Sequence, residues 1–168
     1  MNREALNELY DYTTFTWETY ARAVKPLAPE ELRRPLENSG WSSLLEPLVH
    51  LAGAWDSWLS QHAGEASFEF DIDAIKTWNE VQAMRAQTRA WMRRILDGND
   101  TDLFEKAETP WPDRPDGTRT TAAELILHML LHERGHHGDI STLLSQAGIT
   151  LGSNDYIVYL FFKKLRKP

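Results

Sequence analysis

The chain has 168 residues, with 25 acidic and 18 basic side chains, six histidines, no cysteine and a formal net charge of −7. The missing cysteine excludes a disulfide framework, a thiolate zinc finger, an iron–sulfur cluster and a cysteine nucleophile, and the acidic balance argues against a general nucleic-acid or anionic-membrane binder. A domain of this length buries roughly 70% of its unfolded surface, no apolar run approaches the roughly 18 residues of a membrane span, and the first residues lack an apolar signal core, so one soluble, cytoplasmic domain over residues 1–168 is expected.

From about Arg3 to Lys25, apolar groups at Leu6, Leu9, Tyr10, Thr13, Trp17, Tyr20, Ala21 and Val24 recur in steps of three and four, which marks one face of a helix. Pro26 and Pro29 end it, Pro29–Leu32 reads as a short helical turn, and residues 33–40 read as a loop. A second helix is predicted from a cap at Ser42 or Ser43 to about His62, with Glu46 at capping-box spacing and Pro47 causing a small irregularity. Gly64 stops it, and residues 64–71 read as a connection. A third helix is predicted to begin near Asp71 or Asp73 and to end at Asp97-Gly98, with Ala74, Trp78, Val81, Met84, Trp91, Met92 and Ile95 on its core face. Residues 100–120, with three prolines, read as the longest irregular stretch, in which Asp116-Gly117 suits the turn of a small hairpin. Thr121 and Glu124 form another capping pair, which opens a fourth helix that runs to about Gln146 and stops at Gly148. A short amphipathic helix over Asp155–Leu165 closes the chain and leads into a basic tail. Four long helices with little strand signal predict an all-α four-helix bundle. Seven Trp, five Tyr and six Phe supply a large-side-chain core or a dimer interface.

Four histidines fall within ten residues: His128, His132, His136 and His137. His132-Glu133-Arg134-Gly135-His136 matches H-E-x-x-H, whose histidines lie one helical turn apart on one face and can grip one ion. The protease reading of that string fails on its context. No glutamate follows Glu133, position 139 is aspartate where the extended motif needs glycine, position 142 is threonine where it needs histidine, and only 32 residues follow His136. A third ligand must then come from upstream. His128 and His136 stand roughly 12 Å apart along the helix axis, too far to share one tetrahedral ion, and His137 points about 100° away from His136. His62 sits at the end of the second helix. His50, in the middle of that helix with Gly53 and Ala54 one turn on, has room beside it. Alone, His50 would read as a hydrogen-bonded core histidine, and the HxxxH pair as a packing pair. Together, His50, His132 and His136 form a three-histidine set with open positions, as in catalytic metal centres.

Leu9-Tyr10-Asp11-Tyr12, the block Leu48-Val49-His50-Leu51-Ala52 with Trp55 and Trp58, and His128 through Ile140 resemble the DinB-like (YfiT-type, damage-inducible) superfamily over nearly the whole chain. The resemblance implies an up-down-down-up bundle, commonly a homodimer, that holds a divalent metal through His50, His132 and His136. Zinc or nickel leads, with manganese or iron behind, because imidazole is not selective. The family usually carries H-x-G-Q after the last ligand. Here the string is His136-His137-Gly138-Asp139, and Asp139 returns to nearly the same face, where it can orient a ligand or approach the ion. The resemblance further implies a metal-dependent thiol S-transferase or detoxification enzyme that uses a low-molecular-weight thiol such as bacillithiol or mycothiol. A chain without cysteine suits this, since the thiol arrives from outside. Glu133 is the candidate base. Metal-water hydrolysis at the same site and a non-catalytic dimeric stress-response protein are the alternatives. Expected partners are a small-molecule thiol or electrophile, with no nucleic acid and no membrane. Arg114, Arg119 and the proline-rich loop are expected near a substrate entrance.

Overall fold

In the computed structural model, which describes residues 1–37, 39–63, 72–110, 117 and 119–165, the predicted amphipathic segments are helical. In chain order the elements are α1 (Arg3–Val24), α2 (Pro29–Leu32), α3 (Leu45–Ala63), α4 (Trp78–Leu96), α5 (Asp100–Phe104), β1 (Ala107–Pro110), β2 (Arg119–Thr121), α6 (Ala122–Gln146) and α7 (Tyr156–Leu165). The long ones are α1, α3, α4 and α6, and the fold is an all-α helical bundle. Among the described residues no helix is long and apolar enough to cross a membrane.

Two clusters of buried apolar side chains fix the direction of each long helix. One joins Trp17, Tyr20 and Val24 at the end of α1 and Ile140, Leu143 and Leu144 at the end of α6 to Leu45 and Leu48 at the start of α3 and Trp78 and Val81 at the start of α4. The other joins Leu6 and Tyr10 at the start of α1 and Ala123 and Ile126 at the start of α6 to Trp55 and Leu59 late in α3 and Trp91 and Leu96 late in α4. Helices α1 and α6 therefore run one way and α3 and α4 the other, the up-down-down-up order.

Capping explains where the elements start. Asn2 accepts the Ala5 N–H at the start of α1, and Thr121 and Glu124 cap α6 reciprocally, as read. At α3 the Ser43 hydroxyl accepts the Glu46 N–H and the Glu46 carboxylate accepts the Ser42 N–H, although helical geometry begins only at Leu45. Pro47, in the first turn, does not break it. The third long helix corrects the sequence reading. It starts at Trp78, not near Asp71 or Asp73, because Thr77 and Glu80 form a full capping box (Glu80 Oε2 accepts the Thr77 N–H at 2.8 Å), while residues 72–74 make only one 3-10 turn and Ala74 is exposed. Within 100–120, the described residues are more regular than predicted. Asn99 caps α5, and β1 and β2 pair antiparallel with an irregularity between Ala107 and Thr109. Gly117, at φ +74°, adopts the left-handed backbone that favours glycine, whereas Asp116, Gly64, the 64–71 connection and the end of the basic tail lie outside the described residues. Gly148, at φ +76°, ends α6 in a Schellman motif, with the Ile149 N–H bonded to the Leu144 carbonyl at 2.8 Å and the Gly148 N–H to that of Ser145 at 3.0 Å. Helix α7 packs Tyr159 against Tyr12 and Phe15 of α1.

The interior of the bundle holds an ion pair. Arg85 of α4 grips the Glu133 carboxylate of α6 with both terminal nitrogens, and neither residue is more than 3% exposed. Trp55 Nε1–H of α3 donates to Glu133 Oε2 at 2.6 Å, His137 Nε2 stands 3.3 Å from Oε1, and the Arg85 guanidinium lies 4.2 Å over the Trp17 ring of α1. All four long helices meet at this group. Burial pushes the Glu133 carboxyl up, but Arg85 and His137 outweigh it and hold it at about 2, against an ordinary 4.5. A carboxyl depressed in the fold stabilises it fully above the ordinary value, and that stability is lost as pH falls from 4.5 towards 2.

Two outcomes follow. In urea unfolding, Arg85→Met strands a buried carboxylate and costs about 3–5 kcal/mol, and adding Glu133→Gln, which keeps an acceptor for Trp55, recovers part of it, although Glu133→Gln alone destabilises. A Glu133→Gln change that weakens both backgrounds equally would contradict the pairing. The drop in stability between pH 4.5 and 2 should be steeper in the wild type than in the double variant.

Candidate metal centre

Consecutive residues of an α-helix point about 100° apart. With Glu133 and His137 turned inward to Arg85, His132 and His136 must face a different sector of α6, and there they meet α3. His50, in the second turn of α3, brings its ring centroid to 5.3 Å from that of His132 and 4.8 Å from that of His136, and the latter two are 4.5 Å apart. One ligand nitrogen from each of the three lies within 4.8 Å of the others.

The donor set fits a divalent ion. Two nitrogens about 2.0–2.1 Å from one tetrahedral ion stand about 3.3–3.4 Å apart, and His132 Nε2 and His136 Nε2 are separated by 3.3 Å. Burial first, then the positive charge that His136, His50 and His128 would add, pull the His132 imidazole down to about 4. Burial and His136 likewise lower His50. Both rings are therefore neutral near pH 7, the form a metal ligand requires. Asp139 Oδ2 stands 2.9 Å from His136 Nδ1, the orienting arrangement found behind many ligand histidines, so its carboxylate is engaged with the ring. His132 Nδ1 is buried with no hydrogen-bond partner.

The other predicted residues are placed as follows. His128 is exposed and packs edge-on against Trp58 at 5.1 Å. His137 is sealed beside Glu133, and His62 lies in the last turn of α3. Glu133, the candidate base, is fully buried and committed to Arg85, Trp55 and His137, because its sector of α6 faces the interior. Arg119 is on β2, and Arg114 lies outside the described residues. The open cavity beside His50, of about 540 Å³, has Trp41 and Ser42 from the loop before α3, Gly53 and Ala54 of α3, and Ile75 and Lys76 from the turn before α4 among its lining. The room read from Gly53 and Ala54 is there.

Two residues escaped sequence reasoning. Arg85 stands at helical spacing among Val81, Thr88 and Met92, and a charge within that apolar stripe, matched by Glu133, was a usable signal. Trp41 lies in a Gly/Ser loop and belongs to no periodicity. Its indole ring is 5.4 Å from His50 and 5.3 Å from His136.

The sequence model of the DinB family matches residues 1–166. The chain is 41% identical over 166 residues to Protein DinB of Bacillus subtilis (strain 168), covering 95% of this chain and 96% of that one.

If the three imidazoles act as one donor set, untagged protein retains a divalent ion in elemental analysis, His50→Ala and His132→Ala each retain much less of it as purified, and His128→Ala keeps it. Equal metal content in all four proteins would contradict the set.

Proposed function

The chain belongs to the DinB family, and from that premise we propose that it is a metal-dependent S-transferase of detoxification, which joins a low-molecular-weight thiol to a small electrophile. The observation that carries the proposal is the convergence of His50, His132 and His136. Three protein ligands leave a coordination position for a reactant, unlike the four of a structural zinc site. A divalent ion there, zinc or nickel first, supplies Lewis acidity that favours a thiolate over a thiol near neutral pH.

The chain's own residues supply the rest. Burial keeps His50 and His132 unprotonated, and Asp139 holds the His136 ring from behind. The cavity beside His50 is lined by Trp41 and Ile75 on the apolar side and by Ser42 and Lys76 among its polar residues. In the transfer, the thiol sulfur bonds to the electrophilic carbon, the bond to the leaving group breaks, and the thiol proton passes to solvent. The chain contains no cysteine to compete as nucleophile.

The sealed carboxylate of Glu133 favours transfer over hydrolysis. Attack by water ordinarily draws on a positioned general base, and the carboxylate nearest His132 in sequence is bound to Arg85. A thiol is far more acidic than water and needs such help less.

Protein loaded with zinc or nickel, given an alkyl halide and a panel of low-molecular-weight thiols, should form the thioether only when thiol is present, and His132→Ala should reduce the rate to the uncatalysed one. Turnover that proceeds equally without thiol would indicate a hydrolase, and no turnover with any metal would indicate a non-catalytic protein.

A further inference from the structure

Trp41 belongs to neither the apolar periodicity of a helix nor the set of metal-ligand types, yet it makes the most specific contacts around the triad. Its backbone is fixed on both sides. The Ser39 hydroxyl accepts its N–H at 3.1 Å, the Leu36 N–H closes the loop onto the Ser42 carbonyl at 3.0 Å, and the next N–H, that of Ser42, goes to the Glu46 carboxylate. The half-buried indole therefore arrives at the triad from a held loop, and packs its ring against both His50 and His136.

The polar edge of the ring is more telling. Trp41 Nε1–H donates to Asp139 Oδ2 at 3.2 Å, the same oxygen that lies 2.9 Å from His136 Nδ1. An indole N–H only donates and a carboxylate oxygen only accepts. The shared oxygen thus takes two hydrogens, one from the indole and one from the imidazole. With its hydrogen on Nδ1, His136 turns an Nε2 lone pair towards His132 Nε2, 3.3 Å away. Asp139 is 46% exposed by side chain, so burial alone does not hold it in that rotamer. The indole, from the loop before α3, hydrogen-bonds it there.

We propose that Trp41 is a positioning residue of the metal centre: it holds the Asp139 carboxylate against His136 and so commits His136 to the tautomer whose Nε2 faces the other two histidines. Its effect on metal affinity rests on the metal reading above; its effect on the tautomer does not. Packing alone would be served equally by phenylalanine, which keeps an aromatic ring against His50 and His136 and lacks the N–H.

The test compares wild type, Trp41→Phe, Asp139→Ala and the double variant, all checked for unchanged melting. In metal-free, 15N-labelled protein, the ring-nitrogen NMR signals of His136 should report hydrogen on Nδ1 in the wild type and a mixture of tautomers in Trp41→Phe. In competition with a chelator, Zn²⁺ should bind Trp41→Phe about 10-fold more weakly, and the double variant no more weakly than Asp139→Ala, because Trp41 acts through that carboxylate. Wild-type tautomer and affinity in Trp41→Phe, or losses that multiply in the double variant, would overturn the inference. A wild type that takes up no Zn²⁺ while Trp41→Phe still mixes the tautomers would remove the metal reading and leave the positioning role standing.

Discussion

The pairing of Arg85 with Glu133 constrains the rest of the molecule. Both charges are out of water, and an unpartnered carboxylate at such a depth costs several kcal/mol. A rotation of α6 that removed Glu133 from Arg85 would meet that cost at once, and would also strand the Trp55 N–H. Such a pair adds little net stability over well-packed apolar side chains of the same size. Its effect is on geometry. It fixes which sector of α6 faces Arg85 and the interior, and so which sector is left to meet His50.

That division gives one helix two kinds of histidine chemistry. On the inward sector His137 lies beside a carboxylate held ionised at about 2 by Arg85. On the sector that meets His50, His132 and His136 bring their rings together with it, and burial with mutual repulsion keeps His132 neutral. The H-E-x-x-H string suggests a zinc hydrolase with glutamate as base. In this bundle the glutamate instead locks the helix in rotation and the histidines alone face the site. The carboxylate beside the histidine cluster is Asp139, which reaches His136 from the turn below and accepts the Trp41 indole N–H.

Much of this was legible in the sequence, for physical reasons that differ from element to element. The apolar face of α1 from Leu6 to Val24 and the capping pair Thr121/Glu124 are local signals, and they appear where periodicity and spacing put them. The i, i+4 spacing of His132 and His136 dictates their proximity, and His50 stands out because His128 is too far along the axis, His137 is turned away, His62 is at a helix end, and Gly53 and Ala54 leave room beside it. What was missed depends on contacts across the fold or on a competing cap. The helix does not begin near Asp71 or Asp73, because Thr77 and Glu80 satisfy each other reciprocally and set the start of α4 at Trp78. Arg85 interrupts an apolar stripe, but its partner Glu133 lies 48 positions later on another helix. Trp41 had no local signal, since its role comes from a residue 98 positions later in the chain.

X-ray absorption on zinc-loaded protein tests the three-histidine centre most directly, because it counts the imidazoles around the ion without relying on activity. Three imidazole nitrogens at about 2.0–2.1 Å, falling to two in His50→Ala, is the expected result. A shell of oxygen ligands with fewer than three imidazoles, or one unchanged by His50→Ala, would contradict a centre shared between α3 and α6.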